Sequence, residues 1–190
     1  MKSARVLNAG TLLRIVLVPV VMWLVLIDDG PEGGRAAVAG TLFAIAAATD
    51  WLDGWLARRW DVTTTLGSFL DTTADKLLVS GTLVALVAVE RASPWIAALI
   101  IGRELVILGL RGVVAVDGTV VKPSALARWK TTVQFLAILL AIVRPGEPIL
   151  GAYPDEWAML VAGAITLITA VDYLARFASS VTGSAKPAAR

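Results

Sequence analysis

Asp50, Asp53, Asp71 and Asp75 fall within 26 residues of one another in a chain that contains no histidine and no cysteine. Asp50 and Asp53 are three positions apart and Asp71 and Asp75 four apart, so on helices each pair shares one face. Gly54 and Ala57 lie on the face of the first pair, Arg58 follows directly, and Gly67 stands a turn before Asp71. Small residues at such places let a second helix or a ligand approach the backbone closely. Without imidazole or thiolate, metal or acid–base chemistry must come from carboxylates, whose hard oxygens favour Mg²⁺, Mn²⁺ or Ca²⁺ over zinc or copper. Two such ions bridged by acids can clamp a pyrophosphate and stabilise the attacking and leaving oxygens of an in-line displacement. Arg58 then suits a phosphate oxygen that the metals leave uncovered. The plainer reading has the acids pair with cations at a membrane surface or line an aqueous cation path, and it leaves Gly54, Ala57 and Arg58 unexplained.

The elements that must position these acids are apolar. The 190 residues are 57% hydrophobic and only 17% charged, with a mean hydropathy of +0.78, well beyond an ordinary soluble domain. Gly, Pro and charge divide the chain into an all-α, polytopic membrane fold of about six transmembrane helices, expected at roughly 9–27, 35–60, 65–90, 94–117, 124–143 and 153–178. The basic start at Lys2 and Arg5 has no small-x-small cleavage pattern after it, so the first apolar stretch reads as a retained helix. One membrane domain, 1–178, is expected, followed by a flexible Ser-, Ala- and Gly-containing tail, 179–190. A turn near 60–65 between the second and third helices brings the four acids together at one membrane face. That face carries most of the cations, among them Arg58, Arg111, Arg128, Lys130 and Arg176, while Asp28, Asp29, Glu32, Glu147, Asp155 and Glu156 gather on the other. The positive-inside rule makes the basic face, with both termini, cytoplasmic. No aromatic platform or nucleic-acid motif accompanies the basic residues, so lipid or phosphate is the expected partner and nucleic acid is not.

The pattern D-x-x-D-G-x-x-A-R, eight residues, then G-x-x-x-D-x-x-x-D resembles the signature of the CDP-alcohol phosphatidyltransferase family at every fixed position. The resemblance implies transfer of a phosphatidyl group from a CDP-linked lipid to an alcohol. It implies that Asp50, Asp53 and Asp71 bind metal, that Asp75 is both metal ligand and general base, and that Gly54, Ala57 and Arg58 contact the CDP group. Thr64 falls where the family places a hydroxyl against the nucleotide, and a helix N-cap is the other reading of it. The family also implies a homodimer formed through membrane helices.

Outside the signature, Asn8-x-x-Thr11-x-x-Arg14 followed by Pro19 is similar to the opening of the bacterial phosphatidylglycerophosphate synthase branch, as are Gly102-Arg103-Glu104-Leu105, Leu110-Arg111 and Ala127 to Gln134. By that resemblance Asn8 and Thr11 help to hold the nucleotide; capping of the first helix, with Arg14 snorkelling, is the alternative. Arg111 and Lys130 suit an acceptor that carries its own phosphate, or else anchor the helices at the headgroups. Arg103 and Glu104 read equally well as a structural pair. The expected reaction is CDP-diacylglycerol plus sn-glycerol 3-phosphate giving phosphatidylglycerophosphate and CMP, with Mg²⁺ or Mn²⁺, as two ions. A cardiolipin synthase or phosphatidylinositol phosphate synthase would share the signature, and a divalent-cation transporter is the rival from another class.

Overall fold

Runs of Ala, Leu, Ile and Val broken by Gly, Pro and charge produce, among the described residues of the computed structural model, six α-helices: α1 Lys2–Leu26, α2 Arg35–Trp60, α3 Thr65–Ala88, α4 Pro94–Val116, α5 Ala125–Val143 and α6 Pro154–Ser184. The structure describes residues 2–28, 30, 34–60, 65–116 and 125–184, with side chains described at 10–28, 30, 34–49, 67, 69–113 and 129–178. Among the described residues the only pairing outside helices is an isolated bridge between Ile149 and Ala152. The all-α expectation holds, with two differences at the ends. α1 starts at Lys2 rather than near 9 because Ala4, Arg5, Val6 and Leu7 offer no helix breaker. α6 runs to Ser184, past residue 178 where the sequence suggested the last helix would end.

α1 packs against α3 and α2, α5 against α6 and α2, and α4 against α6 and α3. The core they share contains Val21 and Val25 of α1, Phe43 and Ala46 of α2, Leu78, Leu83 and Leu86 of α3, Ile100 of α4, Ile138 and Ile142 of α5, and Met159 and Ala162 of α6. Glycine makes two of these approaches close. A Cβ on Gly81 would stand 2.9 Å from both Met22 Sδ and Val18 Cγ1, and one on Gly40 2.8 Å from Val143 Cγ2. α1 and α3, and α2 and α5, are therefore nearer than a side chain at either position would permit.

Large apolar side chains also cover the outside. Leu13 and Trp23 of α1, Ile45 of α2, Val84 of α3, Leu105 of α4, Leu136 of α5 and Ile168 of α6 are all exposed. Among the described residues one helix, over Pro154–Ala178 of α6, is long and apolar enough by itself to cross a membrane, and the described parts of three others, Gly10–Leu26, Arg35–Thr49 and Trp129–Val143, form shorter apolar stretches.

The connections after α1, α3 and α5 meet at one end of the bundle. Arg91 pairs with Asp28 at 2.7 Å and donates to the Ile142 carbonyl at 2.8 Å. Asp28 in turn accepts from the Ala36 amide at 3.1 Å, satisfying a donor at the start of α2. After α5, Arg144 lies 2.9 Å from Glu156 and over the Tyr153 ring at 4.2 Å. α3 ends with Glu90 at φ +58°, and the Arg91 and Glu90 amides return to the carbonyls of Leu86 and Val87 at 2.8 and 3.1 Å. This is the Schellman arrangement, with glutamate where glycine is the usual residue. The end of α2 and the start of α3, which carry the signature, lie at the opposite end of the bundle.

Candidate active site

Asp71 and Asp75 belong to the first half of α3, one helical turn apart and on one face. Each is paired with a different cation. Arg14, from the middle of α1, has no side-chain exposure, and its Nη1 donates to Asp71 Oδ1 at 3.0 Å. Its Nε donates to the Ala46 carbonyl of α2 at 3.2 Å. One guanidinium thus joins three helices, and the carbonyl it takes on α2 lies one turn before Asp50. A buried guanidinium with two fixed acceptors is an organising group, because its planar fork holds both partners in set directions.

Asp75 Oδ2 is 2.7 Å from Lys76 Nζ, and the same ammonium is 2.8 Å from Glu104 Oε2 on α4. The other Glu104 oxygen, Oε1, accepts from Arg103 at 3.0 Å and from Lys130 of α5. Glu104 and Lys130 are both buried, 6% and 4% exposed. α3, α4 and α5 therefore meet through one ion cluster that begins at Asp75. Among the described residues three cations face two carboxylates in it, a net positive charge in a confined place. Such a surplus favours a bound anion over a bound neutral molecule.

The residues singled out from sequence separate under the fold. Asp71, Asp75 and Lys130 come together through these contacts. Thr11 is buried on α1 one turn before Arg14. Arg111 does not join the cluster: two turns beyond Glu104 on α4 it is exposed, and its described contact is with the Tyr173 ring of α6, 5.7 Å from the guanidinium carbon to the centroid. The backbone of Asn8 is in α1 and those of Asp50, Asp53, Gly54, Ala57 and Arg58 are in α2, but their side chains lie outside the described residues, as does Thr64 altogether. Among the described residues no three acidic side chains converge on one point.

Sequence reasoning passed over Lys76 and left Arg14 and Glu104 as anchor and structural pair. The signal was present for each, since a charge in the body of an apolar helix must face a partner inside the bundle. Which partner it faced required the packing of the helices.

Comparison with known proteins gives the constellation its setting. The family model described as CDP-alcohol phosphatidyltransferase matches residues 6–171. The chain belongs to the CDP-alcohol phosphatidyltransferase family. Among curated relatives, a CDP-diacylglycerol–glycerol-3-phosphate 3-phosphatidyltransferase of Pseudomonas fluorescens is 38% identical over 173 residues, covering 88% of this chain and 87% of the relative. The protein of the same name from Bacillus subtilis is 37% identical over 179 residues, 89% of this chain and 93% of its own. A probable phosphatidylglycerophosphate synthase of Mycobacterium tuberculosis is 36% identical over 184 residues, 96% and 86% of the two chains. For a CDP-alcohol phosphatidyltransferase the donor set is chemically apt. Asp71 and Asp75 present carboxylate oxygens from one helix face, the Asp71 side chain is 38% exposed, and no thiolate or imidazole in the chain favours a softer metal.

Proposed function

We propose that this protein transfers the phosphatidyl group of CDP-diacylglycerol to sn-glycerol 3-phosphate, releasing CMP and forming phosphatidylglycerophosphate in phospholipid biosynthesis. The observation that carries the acceptor is the cationic cluster of Lys76, Arg103 and Lys130 around Glu104, in contact with Asp75. An acceptor that brings its own phosphate matches that charge, and the relatives' names specify glycerol 3-phosphate.

Asp50, Asp53, Asp71 and Asp75 would hold divalent metal, as Mg²⁺ or Mn²⁺ and as two ions. Metal bound there supplies positive charge to the pyrophosphate and to the departing CMP. Arg14 keeps Asp71 directed into the site from below, and Lys76 does the same for Asp75. The acceptor hydroxyl oxygen attacks the lipid-linked phosphorus, a new phosphorus–oxygen bond forms, the bond to CMP breaks, and Asp75 accepts the hydroxyl proton. Gly54, Ala57 and Arg58, with Asn8, Thr11 and Thr64, would line the nucleotide. Lys130 serves the acceptor side, and exposed Arg111 stands further out along α4.

All six helices are read as crossing the bilayer within one domain, 1–178; the segment expected as a tail, 179–190, begins inside α6, which runs to Ser184. The exposed apolar residues on every helix support this, as do the charges of Arg14, Glu104 and Lys130, which turn inward rather than outward. A soluble protein distributes its residues the other way. The charge bias between the two ends supports a cytoplasmic location for both termini and the site, where a water-soluble acceptor would reach a donor whose acyl chains stay in lipid. Family membership supports reading the protein as a homodimer formed through membrane helices.

The test is CMP release by purified protein with CDP-diacylglycerol and Mg²⁺, comparing glycerol 3-phosphate, inositol phosphate, serine and phosphatidylglycerol. Turnover selective for glycerol 3-phosphate is expected. Preference for another acceptor retains the family and overturns the acceptor; metal flux into liposomes without CMP release points instead to a cation transporter.

A further inference from the structure

Glu104 takes cations from three helices on two oxygens. Lys76 of α3 is on Oε2 at 2.8 Å, while Arg103 of α4, at 3.0 Å, and Lys130 of α5 share Oε1. Lys76 reaches Asp75 with the same ammonium, at 2.7 Å. Arg103 Nε is buried and has no hydrogen-bond partner among the described residues. Among the described residues the cluster thus sets three cations against the two carboxylates of Glu104 and Asp75, and it keeps a spare buried donor. A staple that only held helices together would be better served by matched charges or by apolar packing, since unbalanced buried charge is costly.

We propose that Glu104 is a positioning residue for the acceptor: it grips Lys130 and Lys76 so that the acceptor phosphate is held at a set distance from Asp75. The inference rests on the transfer reaction proposed above. Lysine side chains are long and flexible, and their freedom must be lost before an anion can be placed accurately. A carboxylate that binds both ammonium groups beforehand removes that freedom ahead of substrate binding, and orientation of this kind is worth more to the rate than to affinity. Glu104 touches neither substrate; it acts through Lys130, which meets the phosphate, and through Lys76, which meets Asp75. Removing its charge should leave the anion attracted at least as strongly, because the local charge becomes more positive, but poorly placed. Turnover and affinity then separate, which a staple alone would not bring about.

The experiment uses the full chain purified in detergent with CDP-diacylglycerol, Mg²⁺ and varied glycerol 3-phosphate, comparing wild type, Glu104→Gln and Glu104→Asp. The expected result for Glu104→Gln is a kcat lower by about 30-fold or more, with KM for glycerol 3-phosphate unchanged or reduced and KM for CDP-diacylglycerol within about twofold. Glu104→Asp, which keeps the charge but withdraws it by one methylene, should recover part of the loss and remain about fivefold or more below wild type. Kinetic constants per folded molecule within about threefold of wild type in Glu104→Gln, or a raised KM with kcat intact, would overturn the proposal. Should Glu104→Gln not be recovered folded, the same split in Glu104→Asp decides, and wild-type kinetics in that variant reject it. Wild-type protein that releases no CMP with glycerol 3-phosphate overturns the reaction and this inference together, whereas wild-type turnover with an unaltered variant overturns the inference alone.

Discussion

Arg14 and Asp71, 57 positions apart in sequence, meet at 3.0 Å, and the arginine is wholly buried while the aspartate is partly open. A cation buried in α1 therefore determines how an acid of α3 enters the site. Its second contact, to the Ala46 carbonyl, ties the same guanidinium to α2 just before the first acid of the signature. Replacing it tests whether catalysis depends on this three-helix junction. Arg14→Met should cost roughly 2 kcal/mol of stability, below the about 3–5 expected for a fully buried pair because Asp71 can hydrate. Arg14→Lys should keep the charge but lose the two-pronged grip, giving near-normal stability and a kcat about tenfold lower. Thermal unfolding with CMP-release kinetics on the two variants separates these effects, and Arg14→Met with full activity would remove the junction from the catalytic account.

Asp75→Asn and Asp71→Asn should both lose activity, yet differ in stability. Lys76 keeps Glu104 as a partner when Asp75 is neutralised, so Asp75→Asn should fold nearly as wild type while turnover falls by about 10²-fold or more. Asp71→Asn removes the carboxylate that the buried Arg14 meets at 3.0 Å, at a further cost of about 1–3 kcal/mol. Chelation of divalent metal should abolish turnover in wild type, with Mg²⁺ or Mn²⁺ restoring it. Melting temperatures of the two variants, measured side by side, give the comparison.

Gly81 sets the distance between α1 and α3. Gly81→Val places branched methyls where even a Cβ meets Met22 Sδ and Val18 Cγ1 at 2.9 Å, and overpacking of this kind costs about 2 kcal/mol. Gly81→Ala should cost less than valine, because its Cβ meets the same two atoms but a helix gain of about 1 kcal/mol offsets part of that clash. Denaturation of both variants in the same detergent would expose an error in the packing if valine were tolerated as well as alanine.

Glu90 adopts φ +58° at the end of α3, a conformation that glycine enters without Cβ strain. Glu90→Gly should therefore stabilise the protein by up to about 1 kcal/mol. Activity should be unchanged, since α3 carries this residue at the end of the bundle away from Asp71 and Asp75. A drop in melting temperature would contradict the Schellman geometry.

Legibility from sequence varied with the range of the interaction. Helices were visible because apolar runs and their Gly and Pro punctuation are local, and the predicted and observed bounds of α2 coincide at 35–60. α1 begins before its apolar run, because hydrophobicity does not mark where helix-forming residues start, and Lys2–Asn8 is helical without being strongly apolar. Within the site, the shared face of Asp71 and Asp75 followed from a four-residue spacing. The roles of Lys76 and Glu104 did not, because 28 positions separate them, and they meet only when α3 and α4 pack.

The residue types and spacings alone established an apolar all-helical chain, the carboxylate chemistry, and the two helices that carry it, since each depends on composition or on one turn of helix. Folding chose the partners: Arg14 for Asp71, Lys76 for Asp75, Lys130 rather than Arg111 for Glu104. Charges inside an apolar bundle must find counter-charges or pay heavily in desolvation. Helix packing brings together groups far apart in sequence, so nothing short of the assembled bundle specifies which of the available counter-charges each one meets.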